Sequence, residues 1–223
     1  MNNSVKCQDL FTFSSVFFKN LFSGAFYPWE LLPSLSCIIS DMIKNGIEGY
    51  KLIGDDILVG EGTVIAPTAH IEGPTIIGKN CDVRHGAFLR GAVLIGDSCV
   101  IGNSTEVKNS ILMDGAQAPH FNYVGDSILG EKAHLGAGVI CSNLRSDGKP
   151  AEVRLGAISI TTGLRKLGAI LGDNAEIGCG TVLCPGTVIG RSTTVYPLTL
   201  ARGVYPSDSI VKSNGTVIPK LSD

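Results

Sequence analysis

From Ile53 onward an aliphatic residue returns at every sixth position: Ile53, Val59, Ile65, Ile71, Ile77, Val83, Leu89, Ile95, Ile101 and Val107. The next residue is often Gly or Ala, as at Gly54, Gly60, Ala66, Gly78, Gly96 and Gly102. Four positions after each aliphatic stands a mostly small residue, as at Thr63, Ala69, Thr75, Cys81, Ala87, Cys99 and Thr105. The pattern resumes at Leu171, Ile177, Leu183, Ile189 and Val195, with Ala175, Thr181, Thr187, Thr193 and Thr199 in the small slot. A period of six is neither the 3.6 of a helix nor the 2 of a free strand. Each hexad therefore predicts one short strand and a turn, and three hexads close a triangular coil with the aliphatic residue inside. The expected fold class is all-β, a left-handed parallel β-helix. Its hand is read from the hexapeptide signature, because ordinary parallel crossovers are right-handed.

Residues 1–50 lie outside the repeat. Pro28, Trp29, Leu31, Leu32, Leu35, Ile38, Ile39, Met42 and Ile43 are spaced as a helix would space them, with Pro at the start and Gly46 past the end. An open first coil exposes apolar core and unpaired strand edges, so a helical cap over that coil is expected. The expected organisation is a helical N-terminal cap over 1–50 and a β-helix over 51–223 with a loop insertion at 142–169.

Residues eighteen apart stack on one face of such a prism, and Glu72, Arg90 and Lys108 form a charged column in the slot otherwise held by Gly or Ala. Taken alone, the column reads first as a solvated ion ladder, which contributes little. After Lys108 the register falters from Met113 to Pro119, and regular hexads return at Leu129 and Leu135. This break in the repeat sets His120 and Tyr123 beside the Arg90 and Lys108 column, and a histidine near its ordinary pKa is the usual general base at neutral pH. The second interruption, Ser142 to Ala169, holds Asn143, Arg145, Lys149, Arg154, Arg165 and Lys166. Its positive charge suits phosphates, and a loop that only packs against another copy is an equal reading.

Composition narrows the class. Twenty-eight glycines and 6% aromatics suit many tight turns around a narrow interior. A net charge of −2 argues against a nucleic-acid surface, so any anion site must be local. Asp9 and Lys19 interrupt the phenylalanines of the N-terminus, so neither a membrane span nor an export signal is expected. Seven scattered cysteines without a CxxC pair suggest neither disulfides nor a zinc site, which places the chain in a reducing cytoplasm.

Glu106-Val107-Lys108-Asn109, Pro119-His120-Phe121-Asn122-Tyr123-Val124-Gly125-Asp126, Leu135-Gly136-Ala137-Gly138 and Cys141-Ser142-Asn143 resemble the acetyltransferase half of bifunctional bacterial UDP-N-acetylglucosamine pyrophosphorylase/glucosamine-1-phosphate N-acetyltransferase. The likeness runs over roughly residues 50 to 205. Similar stand-alone proteins carry a Tyr-Pro-Trp-Glu stretch, as at Tyr27 to Glu30. The resemblance implies acetyl transfer from acetyl-CoA to the amino group of an amino-sugar phosphate, glucosamine 1-phosphate in that family, by a homotrimer with sites near subunit interfaces. It implies His120 as base, Arg90 and Lys108 at the sugar phosphate, Tyr123 at the sugar, Asn143 at the acetyl donor, and Ala137, Cys179 and Pro197 along the coenzyme. Backbone N–H groups of Gly136 to Gly138 are expected to face the tetrahedral intermediate.

Three positions depart from that family. His134 stands where a sugar-contacting Asn is usual, Cys179 replaces a Ser, and Asn143 to Gly148 replaces an Asn-Tyr-Asp-Gly run. The nucleotidyltransferase half is absent, so a separate nucleotidyltransferase is a possible partner. A catalytically silent scaffold or sugar-nucleotide-binding module stays open as the alternative. A γ-carbonic-anhydrase-like metal enzyme is disfavoured, because His70, His85, His120 and His134 lack the close pair of zinc ligands that family shows.

Overall fold

In a computed structural model that describes residues 5–221, the hexads wind into a left-handed parallel β-helix of about nine turns. The ends of the two expected domains, residues 1–4 and 222–223, lie outside the described residues. Three faces result. Face 1 has nine strands, from Tyr50–Ile53 and Ile57–Gly60 through Ser110–Leu112 to Val204–Tyr205. Face 2 has nine, from Val64–Ile65 to Val217–Pro219, and face 3 has seven, from His70–Glu72 to Leu200–Ala201. Ile77, Val83, Leu89, Ile101 and Val107 point inward and are fully buried. The small slot falls at the corners, where a hydroxyl joins one coil to the next: Thr63 Oγ1 donates to the Gly78 carbonyl at 2.6 Å and accepts the Cys81 N–H at 2.9 Å. Ile53 is not a coil position. It lies on the antiparallel edge strand opposite Ile57 and is 45% exposed.

The segment Met113 to Pro119 is not a break either. Thr75 pairs with Val93 eighteen residues on, but Val93 pairs with Ser110 and Ile111 with Ile128, each seventeen on. Two hexads have each lost one residue, between Val107 and Leu112 and between Val124 and Leu129, and Leu112, Ala118, Val124 and Leu129 are all buried in the prism core. Both losses fall at the corner between faces 3 and 1. The insertion begins at that same corner, after the strand Ile140–Cys141, and its centre is an antiparallel hairpin of Glu152–Leu155 with Ile158–Thr161.

The N-terminal segment is helical: α1 (Cys7–Leu10), α2 (Val16–Leu21), then a 3₁₀ turn Pro28–Ser34 that runs into α3 (Leu35–Asn45). The Tyr-Pro-Trp-Glu stretch builds its start. Glu30 Oε2 accepts the N–H groups of Phe26 (2.8 Å) and Tyr27 (3.3 Å), and buried Trp29 stacks on Tyr27 at 4.6 Å. Gly46, at φ 69°, ends α3.

This arm lies along face 1 and does not cap the first coil. The outward residue of face 1 is apolar in coil after coil (Leu58, Ile76, Leu94, Ile111, Ile128, Ile170, Val188), and these pack with Leu10, Phe18, Leu35 and Ile39 of the helices and with Val153 of the hairpin. A column of large aliphatics on the outside of a sheet demands cover more strongly than one coil end does, since each buried side chain contributes about 1.5–3 kcal/mol. The first coil keeps Leu52, Ile53 and Val64 about half or more exposed.

Candidate functional site

His120 ends the strand Gln117–His120 at the corner between faces 2 and 3. Its N–H donates to Asn122 Oδ1 at 3.1 Å, and its carbonyl accepts the Gly138 N–H at 3.0 Å. The imidazole is exposed and has no hydrogen-bond partner among the described residues. Below it the corner continues through Ala137, whose carbonyl accepts the Gly180 N–H (2.8 Å), to Cys179, whose carbonyl accepts the Leu198 N–H (2.9 Å). His120, Ala137, Cys179 and Pro197 therefore descend a single corner. Side chains there are small because the turns stack closely: a Cβ on Gly136 would come within 2.7 Å of the Cys179 backbone nitrogen.

The expected oxyanion donors are mostly engaged. The Gly136 N–H donates to the Ile177 carbonyl at 2.7 Å and the Gly138 N–H to His120, which leaves only the Ala137 N–H of the three without a partner among the described residues.

Face 3 presents Arg90, Lys108 and Tyr123. Glu106 stands between Phe88 and Tyr123 in register, and Arg90 Nη1 meets Glu106 Oε1 at 2.6 Å, a bond that raises the guanidinium pKa further. The acidic partner of Arg90 is thus Glu106 and not Glu72, which approaches His70 at 3.5 Å. Lys108 has no ion-pair partner among the described residues.

Tyr123 is half-buried, and desolvation raises its hydroxyl above the ordinary range. Asn143 Nδ2 donates to that hydroxyl at 3.1 Å and to Asp126 Oδ2 at 2.5 Å, while Asn109 Nδ2 donates to Asp126 Oδ1 at 2.8 Å. Asp126 and Asn143 are buried, so a hydrogen-bonded Asn109–Asp126–Asn143 ladder holds Tyr123 from behind. Sequence reasoning missed Asn109 and Asp126. Their signal was positional: both sit where a hexad loses a residue.

His134 lies apart. It projects from face 2, opposite Gln117 in register, and its Nδ1 is 2.9 Å from Glu176 Oε2. His85 is engaged with Thr68 at 2.7 Å. Among the described residues no three His, Cys, Asp or Glu side chains stand close enough to hold a metal ion. Cys141 lies inside the prism, where burial pushes its thiol up to about 12, so it packs as a small apolar side chain.

Of the insertion cations Arg145 is the one drawn inward, while Lys149, Arg154, Arg165 and Lys166 stay exposed. Arg145 Nε and Nη2 donate to Asp147 (2.9 and 2.6 Å), and Nη1 reaches Glu152 at 3.5 Å. The Arg145 guanidinium holds the Asp147 carboxyl well below the usual carboxylate range.

A family profile described as the GMPPB C-terminal domain matches residues 71–161. The bifunctional protein GlmU of Methanocaldococcus jannaschii is 36% identical over 216 residues, which cover 87% of this chain and 48% of that protein. The uncharacterized acetyltransferase YaiX of Escherichia coli is 34% identical over 193 residues, 80% of this chain and 84% of that one. The chain spans about half the length of the bifunctional relatives. A crystal structure of a point mutant of AntD, an N-acyltransferase from Bacillus cereus, in complex with dTDP and coenzyme A, aligns over 79% of this chain and 92% of its own. The TM-score is 0.46 and the identity 18%.

Proposed function

Because this chain belongs to the hexapeptide-repeat acetyltransferases, we propose that it moves the acetyl group of acetyl-CoA to the amino group of an amino-sugar phosphate. The proposed acceptor is glucosamine 1-phosphate, and the product would feed synthesis of UDP-N-acetylglucosamine. The observation that carries this reading is the corner on which an imidazole without a partner among the described residues stands above the small residues Ala137, Cys179 and Pro197. An extended thioester running along these coils would deliver its carbonyl beside His120.

The neutral amine of the sugar attacks the thioester carbon while His120 takes the proton that the nitrogen must lose. The negative oxygen of the tetrahedral intermediate is stabilised by the Ala137 N–H. The C–S bond then breaks, and the imidazolium returns its proton to the departing thiolate. Lys108 and Arg90 hold the acceptor phosphate and Tyr123 contacts the sugar; Asn143, expected at the acetyl donor, is buried with its Nδ2 engaged by Tyr123 and Asp126, so its proposed role is to set Tyr123. In the same reading the protein is a cytoplasmic homotrimer and hands its product to a separate nucleotidyltransferase. The place of His134 on face 2, away from Tyr123, suits a site whose second wall comes from a neighbouring copy.

A thiol-release assay with acetyl-CoA against amino sugars and their 1-phosphates tests the reaction. Release that depends on glucosamine 1-phosphate is expected, and release no faster than buffer hydrolysis with every acceptor overturns the reading. The closed Arg90–Glu106 pair favours one rival, a silent sugar-phosphate-binding scaffold, since an engaged guanidinium offers fewer N–H groups to a phosphate. Acceptor binding without thiol release would identify it.

A further inference from the structure

Below the Asn109–Asp126–Asn143 ladder, the corner between faces 3 and 1 opens into a cavity of about 320 Å³ that the proposed transfer does not use. Its walls come from three separate segments: Arg145 and Asp147 of the insertion loop, Glu152 and Arg154 of the hairpin, and Arg202 of a lower coil. Three of the seven arginines of a chain with net charge −2 therefore meet in one pocket. Both wall carboxylates are occupied. Asp147 takes two Arg145 N–H groups, and Glu152 takes the Ser159 hydroxyl at 3.0 Å with Arg145 and Arg154 at 3.5 and 4.0 Å. Arg202 has no ion-pair partner among the described residues. The pocket thus carries one uncompensated positive charge and guanidinium N–H groups still free to donate.

The walls are held firmly. Gly203 and Gly186 mark two corners where the hairpin backbone comes close: a Cβ on Gly203 would meet the Arg154 carbonyl at 3.1 Å, and one on Gly186 the Glu152 carbonyl at 2.3 Å. Docked this way, the hairpin backbone at Arg154 lies against the coil corner at Gly203, the residue after Arg202. From Glu106, on the strand of Lys108, the register steps through Tyr123, Ile140 and Val182 to Leu200, four coils, or about 19 Å at the usual strand spacing. A phosphate at Lys108 cannot also fill this pocket. Between the pocket and the His120 corner, Leu198 and Leu200 leave an apolar strip 80% and 71% exposed.

We propose that the pocket binds a phosphate or diphosphate group through Arg154 and Arg202, with Arg145 fixed by Asp147 as the third side, because paired guanidinium N–H groups match phosphate oxygens. The group has two possible sources, the adenosine 3′,5′-bisphosphate end of coenzyme A and the diphosphate of a nucleotide-linked acceptor. The first source rests on the acetyl-transfer reading above, and the site itself does not.

Calorimetry on the full chain with inorganic pyrophosphate, adenosine 3′,5′-bisphosphate and UDP tests the site. Pyrophosphate should bind, and Arg202→Ala and Arg154→Ala should each weaken it about tenfold or more, since charge-assisted bonds are the strong ones. Arg84→Ala, outside the pocket, should leave binding unchanged. Should Arg154→Ala loosen the hairpin, Arg202→Lys takes its place, because it keeps the charge, loses the fork and should still bind more weakly than wild type. Adenosine 3′,5′-bisphosphate binding in preference to UDP names coenzyme A as the source, and the reverse preference names a nucleotide acceptor. No binding of any probe at millimolar concentration, or binding that survives both alanine variants, overturns the site. Thiol release is read separately, so loss of the acetyl-transfer reading would leave this result standing.

Discussion

Face 1 and face 3 are built alike, each a parallel ladder with an inward stripe of aliphatics, yet they have opposite fates. Face 1 carries Leu58, Ile76, Leu94, Ile111, Ile128, Ile170 and Val188 outward and is sealed under helices and a hairpin. Face 3 carries Glu72, Arg90, Glu106, Lys108 and Tyr123 and stays open. The outward residues of each strand make the difference. In a solenoid the inward positions specify the fold and the outward ones decide which wall is packed and which does chemistry.

The sharpest way to break that contrast is to remove the group assigned to the open side. His120→Ala should lower kcat by about 10²- to 10⁴-fold, the usual contribution of a general base. Because the imidazole is exposed and bonds to no other described residue, the melting temperature should stay within the small scatter of surface substitutions. Steady-state thiol release alongside thermal melting checks both halves. A variant with near-normal kcat at saturating substrate would make this corner ordinary surface.

Next comes a matched pair of outward aliphatics. Ile111 on face 1 is fully buried beneath the arm, and Leu200 on face 3 is 71% exposed. Ile111→Ala should cost about 2–5 kcal/mol, and Leu200→Ala at most about 0.5 kcal/mol. Denaturant unfolding of the two variants gives the comparison directly. Equal losses would mean that face 3 is covered in solution as well, as packing between copies would do.

How far this contrast was readable in the sequence depends on the period involved. Inward aliphatics recur every six residues and announce the coils, and the charged column, His120 and the small-residue corner follow from counting along them. The outward aliphatics of face 1 recur only every third hexad, so the demand for a cover along the side was hidden, and the helices were expected over the coil end. Counting by sixes past Val107 lands on Met113, Pro119 and Gly125, which imitates a broken repeat. The true inward residues are Leu112, Ala118 and Val124, because one residue has gone at the corner where Asn109 now sits. The ladder built on Asn109 and Asp126 needed three-dimensional register to be seen, since residues seventeen apart touch only after both hexads shorten. The partners of Arg90 and Arg145 were equally out of reach, because side-chain direction across coils decides them.

The smallest expected effect tests what it costs to cover face 1. Asp114 follows that face at the corner with face 2 and is half-buried beside Ser15 and Phe18 of the arm. Burial raises its carboxyl above the ordinary carboxylate range, and the neighbouring charges of Asp97 and Glu131 raise it further, while the Asp97 N–H at 2.8 Å and the Ser15 hydroxyl pull it down. The folded chain therefore holds this proton more tightly than the unfolded chain does. Stability from the group is fully present below the unfolded pKa near 3.9, and it is lost as pH rises through the folded value, so at neutral pH the ionised carboxylate works against the fold. Asp114→Asn keeps an oxygen for the Asp97 N–H and takes the group out of titration. At pH 7 the variant should melt slightly above wild type, with a modest gain because solvent screens a half-exposed charge. On acidification the gain should shrink, and below about pH 3.9 the two curves should meet. A variant that melts below wild type at pH 7 would show that the carboxylate's bond to Asp97 outweighs the cost of its burial, and that the arm settles on this acidic corner without penalty.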